Sequence, residues 1–277
     1  MTATATLPGQ KMEFSRIVRK IELVGDATKT YPGGNAPVFA DLSLSIEEGT
    51  CLAVMGPNAC GKSTLLASLL GLISLDCGRV GLNLSSRDLL GVVVQDYRSQ
   101  ILPLASIRTN LLLPLGGGRN SETNSDDVLA SAAETFSLLG YEIDLDAPVR
   151  QLSGGGQQAV VLARALAFCP EFFIWDEPTS AIDLSRRRAL YRMLEKRWHN
   201  TGVTVLFVTH DLDEALMLSD RIVVFDTGMR LLLDLPVERP LGEEGWDFLD
   251  SSKAQALRSR VRGAMDQGRV KRLVVQR

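Results

Sequence analysis

Short apolar runs alternate along this chain with stretches of helical spacing, the pattern of a sheet that carries helices on its faces. Residues 17–24 and 42–46 read as strands, and 50–55 as a short buried strand. Residues 91–94, 172–175, 203–208 and 222–225 are further brief runs rich in β-branched and aromatic side chains. Residues 62–70 read as a helix closed by Gly71. Between Tyr97 and Ala167 the strand-like alternation is lost. Here Val128, Leu129, Ala132, Ala133, Phe136 and Leu139 recur at helical spacing. Ser125 is placed as the N-cap of that helix and Gly140 as its stop. Residues 97–164 are therefore expected to form a mostly helical insertion in an α/β core. Its loop 116–125, rich in Gly, Asn and Ser, is expected to be the mobile part. From Leu231 a short extension begins, first apolar and then charged, with a terminal helix over 252–265. No internal repeat is visible.

Bulk properties narrow this picture. With 277 residues, 45% of them hydrophobic, the chain can bury a full core in one or two domains. Its formal charge of −3 gives no reason to expect nucleic acid as a partner. The cluster Arg186, Arg187 and Arg188 reads as a solvated helix face. Cys51, Cys60, Cys77 and Cys169 show no paired or metal-type spacing, which suits a reducing compartment. No apolar run approaches the roughly 20 residues needed to span a bilayer. Residues 1–16 read as a flexible start, and the opening residues lack both the basic start and the apolar core of a signal peptide. The chain is expected to be soluble by itself, so that any work at a membrane requires a partner to hold it there.

The chemistry begins at Gly56-Pro57-Asn58-Ala59-Cys60-Gly61-Lys62-Ser63-Thr64, which fits G-x-x-x-x-G-K-[ST] between a strand and a helix. In that geometry successive backbone N–H groups converge on a phosphate at the positive end of the helix. Gly56 and Gly61 let the backbone approach, Lys62 can reach β- and γ-phosphate oxygens, and Ser63 can hold Mg2+. A second signal is the apolar run 172–175 ending in Asp176 and Glu177. Such a pair places one carboxylate at the metal and the next beside the γ-phosphate, where hydrolysis needs a general base for water. A third is Leu152-Ser153-Gly154-Gly155-Gly156-Gln157-Gln158 ahead of an apolar helix, a second anion-binding device of the same physical kind.

With Asp176-Glu177-Pro178-Thr179-Ser180-Ala181-Ile182-Asp183 and Val208-Thr209-His210-Asp211, these segments resemble the ATP-binding subunit of an ABC transporter in order and spacing, over about 21–226. The resemblance implies a phosphate-loop (RecA-like) α/β core with an N-terminal antiparallel β-subdomain and an inserted α-helical subdomain. It places an ABC ATPase domain at 17–230, the helical part at about 97–164 and a short C-terminal extension at 231–277. It implies ATP as substrate, Mg2+ as cofactor and a head-to-tail dimer, of like or unlike subunits, enclosing two ATP molecules. Ser153, Gly154 and Gly155 would then touch the γ-phosphate of ATP held by the other subunit. Gln95 matches the glutamine loop, near Mg2+ and the lytic water. His210 matches the switch histidine that holds the catalytic Glu177. Asp183 matches the loop that communicates between sites, and Tyr31 the aromatic that stacks on adenine.

Three positions depart from the family pattern. Ala59 replaces a common glycine, so the loop must hold φ below zero there or bear slight strain. Gly156 stands where Gln is usual and Ala159 where Arg often follows, which bears on how the signature helix is anchored. In this family the helical insertion receives a short helix from an integral membrane permease. The apolar Ile101, Leu102, Leu104, Ile107, Leu111, Leu112 and Leu113 suit such a groove. The expected role is to power import of a small, anionic solute, delivered by a solute-binding protein, from the cytoplasmic face of the membrane. A soluble ABC ATPase, such as an iron–sulfur assembly component, is the competing class. Asp220–Phe225, Leu233–Pro240, Asp213-Glu214-Ala215 and Gln95-Asp96-Tyr97-Arg98 resemble the nitrate, sulfonate and taurine importers. Leu104, where that subfamily often has Trp, and the short 79–90 segment depart from it.

Overall fold

The computed structural model describes residues 20–82, 90–117, 124–168, 171–177, 182, 184–239 and 245–275. Its centre is a six-stranded sheet in the order β5-β6-β7-β3-β8-β9. The strands are β3 (Cys51–Met55), β5 (Leu90–Val93), β6 (Phe172–Asp176), β7 (Thr204–Val208), β8 (Arg221–Phe225) and β9 (Leu231–Pro236). All neighbours are parallel except β9, which turns back antiparallel on β8. Every residue of β3, β6 and β7 is buried, as a parallel sheet covered on both faces requires. The apolar opening of the extension expected from 231 is thus an edge strand of this sheet, ending in Pro236 where no ladder donor is needed.

The two-residue period of a strand divides the interior in two. Ala53, Met55, Phe173, Trp175, Val205 and Phe207 point into one cluster, where Trp175 meets Phe173 and Trp198 edge-on. Leu52, Val54, Phe172, Ile174, Leu206 and Val208 point into the other. The second cluster is closed by a smaller antiparallel sheet, β2-β1-β4, from β1 (Lys20–Lys29), β2 (Phe39–Glu47) and β4 (Cys77–Leu82). Helix α1 (Lys62–Leu69) also packs there, through Leu65, Leu66 and Leu69. Arg221 joins the sheets by donating to Ser45 O at 2.8 Å while holding Asp234 through two bonds.

Between β5 and β6 the described chain is helical: α2 (Ile107–Leu112), α3 (Ser125–Leu138) and α4 (Gly154–Ala167), with short 3-10 turns. Asn124, not Ser125, caps α3: its extended backbone lets its side chain accept from Asp126 N, and Ser125 is the first helical residue. Gly140 stops the helix at φ 67°. Most of the expected loop 116–125 lies outside the described residues. Of the apolar residues on the insertion, Ile101, Ile107 and Leu111 are core, whereas Leu102, Leu104 and Leu113 are exposed.

After β6 come α5 (Leu184–Thr201), α6 (Leu212–Leu218), α7 (Gly245–Leu249) and α8 (Ser252–Val275), the last extending ten residues beyond the expected 265. The arginine cluster on α5 is not simply solvated. Arg186 stacks on Tyr141 at 4.6 Å, Arg188 on Trp246 at 4.7 Å, and Arg187 donates to Ile182 O at 2.7 Å. Among the described residues no helix is long and apolar enough to cross a membrane, and Cys51, Cys60 and Cys77 are free thiols.

Candidate nucleotide site

Loops at the carboxyl ends of β3, β5, β6 and β7 converge on one cavity of about 1050 Å3, where an open α/β sheet places its ligand. Gly56, Pro57, Asn58, Ala59, Gly61, Lys62, Ser63 and Thr64 line it, together with Tyr31, Gln95, Asp176, Glu177 and His210. Cys60 turns away and is buried, its Sγ 3.7 Å from Met229 Sδ.

Gly61 begins α1 at φ 120°, and no side chain caps the first N–H groups of that helix. A Cβ at Gly61 would lie 2.7 Å from Val38 and 2.9 Å from Met229, so glycine is required on both counts. Ala59 has φ 59°: of the two alternatives for this position, the strained one is realised. The Lys62 ammonium folds over the loop and donates to Gly56 O at 3.0 Å and Pro57 O at 2.9 Å.

Glu177 leaves the end of β6 with φ 46°, its N–H bonded to Val208 O at 3.1 Å. A positive φ in an L-residue costs on the order of 1–3 kcal/mol and concentrates at functional positions. The turn aims the carboxylate between two partners. Gln95 Nε2 donates to Glu177 Oε2 at 3.3 Å, and His210 Nδ1 lies 3.3 Å from Glu177 Oε1. Ser63 Oγ donates to Asp176 Oδ2 at 3.4 Å. Burial and the charge of neighbouring Glu177 push the Asp176 carboxyl up, while the Ser63 hydroxyl and Lys62 offset part of this.

Tyr31 is half exposed, and its hydroxyl is 3.3 Å from Thr64 Oγ1. Ser153, Gly154 and Gly155 lie outside the cavity lining. Ser153 is the N-cap of α4, its Oγ accepting from Gly156 N at 3.2 Å. A Cβ on Gly154 would stand 3.0 Å from Tyr97 Oη, and one on Gly156 3.1 Å from Leu152 Cβ. The helix start is therefore tightly seated, and Ala159 is fully buried behind it. Asp183 lies outside the described residues.

Val38, Thr227 and Met265 also line the cavity, and nothing in their local sequence marks them. A deeper network was missed as well. The Tyr191 hydroxyl donates to Glu214 Oε1 at 2.7 Å, and Thr209 Oγ1 donates to the other oxygen of this buried carboxyl. Thr209 Oγ1 in turn accepts from Asp211 N at 3.0 Å, so the backbone on both sides of His210 is held. The Glu-Ala after His210 was the available signal.

A phosphate-loop fold with an acid pair at the end of a neighbouring parallel strand defines a nucleoside-triphosphate-binding protein. Residues 39–180 match the ABC transporter family. The chain belongs to that family. The taurine import ATP-binding protein TauB of Pseudomonas aeruginosa is 35% identical over 243 residues, covering 84% of this chain and 89% of that protein. The aliphatic sulfonates import ATP-binding protein SsuB 1 of Shouchella clausii is 32% identical over 231 residues, covering 83% and 87%. The xylose/arabinose import ATP-binding protein XacK of Haloferax volcanii is 35% identical over 248 residues, covering 82% of this chain, which spans 64% of that longer relative. Among solved structures, the ATP-binding cassette MJ0796 in a dimeric post-hydrolysis state bound to ADP and Pi superimposes with a TM-score of 0.68 at 28% identity, covering 79% of this chain and all of that one.

Proposed function

We propose that this chain is the ATP-binding and ATP-hydrolysing subunit of an ABC importer. The observation that carries the reading is one cavity gathering the phosphate loop with Gln95, Asp176, Glu177 and His210, while Ser153 and its glycines stand apart from it. The uncapped N–H groups of α1 and the Lys62 ammonium bind the phosphates, the lysine exchanging loop carbonyls for β- and γ-phosphate oxygens. Glu177, oriented by Gln95 and His210, takes a proton from the attacking water.

The donor set fits Mg2+. A hydroxyl and a buried carboxyl sit 3.4 Å apart, with the Gln95 amide in the same cavity and no cluster of three metal-binding side chains among the described residues. Hard oxygen donors completed by phosphate and water suit this ion. Ser63, Asp176 and Gln95 would hold it, and when bound it would offset the phosphate charge.

Two subunits, identical or different, close head to tail so that Ser153, Gly154 and Gly155 complete the opposite site, with Asp183 linking the two. The exposed Leu102, Leu104 and Leu113 offer the helical insertion to a permease on the cytoplasmic face of the membrane. A solute-binding protein brings the cargo. The sulfonate and taurine relatives favour a small anion. Co-expression with a neighbouring permease gene tests the reading: ATP hydrolysis stimulated by loaded binding protein in vesicles supports it. Recovery with soluble scaffold proteins alone overturns it.

A further inference from the structure

Helix α8 buries Ala254, Leu257, Val261, Ala264 and Gly268, one stripe at helical spacing. Its close approach falls at Gly268, where a Cβ would stand 3.1 Å from Leu232 Cδ1 and 3.5 Å from Asp226 Cα. The helix backbone thus lies directly on the turn between β8 and β9. That turn is rigid. The fully buried Asp226 accepts from Gly228 N at 2.8 Å, Arg230 N at 3.0 Å and Arg230 Nε at 2.9 Å. Burial works to raise its carboxyl, but these donors and the arginine charge outweigh burial and the net direction is down.

The same turn reaches the phosphate loop from behind. Met229, at φ 55° and 1% exposed, packs on Cys60 and fills the space a Cβ at Gly61 would need. In front, Thr227 lines the cavity, and so does Met265, one helical turn before Gly268. A second tether fixes α8 near the other rim. Arg258 Nε donates to Asp213 Oδ1 at 2.8 Å, and Asp213 stands in the first turn of α6, just past His210.

The cavity lining is divided by chemistry. Lys62, Ser63, Gln95, Asp176, Glu177 and His210 suit phosphates and a cation, whereas Val38 and Met265 are apolar and Tyr31 offers an aromatic ring. We propose that α8 is a wall of the nucleotide pocket, with Met265 contacting the base or ribose, so that docking of the C-terminal helix and nucleotide binding are coupled. This rests on the reading of the cavity as an ATP site. A thioether against an aromatic ring supplies affinity, and linkage makes the coupling reciprocal.

The test measures binding of ATP and of inorganic tripolyphosphate to the full chain by titration calorimetry, for wild type, K62A, M265A, M265E and M265K. M265A is expected to weaken ATP about threefold and leave tripolyphosphate unchanged. M265E should bind ATP about tenfold more weakly than M265K, the gap narrowing with added salt. On wild type, ATP should slow hydrogen exchange in residues 257–268, a measurement that does not depend on any variant folding. ATP affinities equal within about twofold across the Met265 series, with exchange in α8 unmoved, overturn the proposal. In that case loss of binding in K62A would leave the ATP reading standing. Wild type that binds no ATP, or K62A that binds as wild type does, overturns both.

Discussion

His210 Nδ1 lies 3.3 Å from Glu177 Oε1, and this pair links the ends of β6 and β7 across the mouth of the cavity. A carboxylate so placed can both orient water and take its proton. Glu177→Gln keeps the size and loses the basicity. ATP binding should persist while turnover falls by at least about 100-fold, and an ATP-bound dimer should accumulate in size-exclusion chromatography. Hydrolysis at the wild-type rate would remove Glu177 as general base.

Glu214 is a buried carboxyl whose ordinary value near 4.5 is pushed up, first by loss of water, with the Thr209 and Tyr191 hydroxyls opposing. A raised value means that the folded state favours the protonated acid. Its contribution to stability is therefore whole below the ordinary value and is lost as pH rises through the folded-state one. Glu214→Gln cannot ionise, so denaturant unfolding followed against pH should lose that decline. Glu214→Ala removes the buried acceptor of the Tyr191 and Thr209 hydroxyl bonds and should cost about 1–3 kcal/mol.

Ala59 sits at φ 59° in the phosphate loop. Left-handed backbone costs an L-residue roughly 1–2 kcal/mol, and the greater chain entropy of glycine offsets about 0.5–1 of that. Ala59→Gly should therefore stabilise the nucleotide-free protein by about 0.5–1 kcal/mol, seen as a higher Tm. A lower Tm would show that the loop bears no such strain.

If each site is completed by the opposite subunit, defects in Lys62 and Ser153 complement one another. K62A and S153A proteins should each be inactive alone. Mixed in equal amounts they form hybrid dimers in which one site keeps both residues, and about a quarter of all sites are then intact. Hydrolysis should reappear on mixing. A mixture as inactive as its parts would argue against composite sites.

The parts of the site that were legible in the sequence are contiguous. Residues 56–64 carry their own strand, turn and helix start, and Asp176-Glu177 declares itself by ending an apolar run. Gln95 and His210 needed the family resemblance, because a lone amide or imidazole after a strand has no local signature. Val38, Thr227 and Met265 were invisible, since they reach the cavity only through the packing of the β8–β9 turn and α8. The arginines of α5 were read as solvated because their rings, Tyr141 and Trp246, lie far off in the chain. Asn124 displaced Ser125 as a cap because two adjacent residues of equal capping quality differ only in backbone angle.

The capping bond at α4 also decides what the signature serine can offer. Ser153 Oγ accepts from Gly156 N, so one lone pair is committed to its own helix. What it keeps is the hydroxyl proton and one further lone pair. A phosphate oxygen, which can only accept, would take that proton. The N–H dipoles of the helix start already favour an acceptor, and the free hydroxyl proton adds to a preference that is set before any partner arrives.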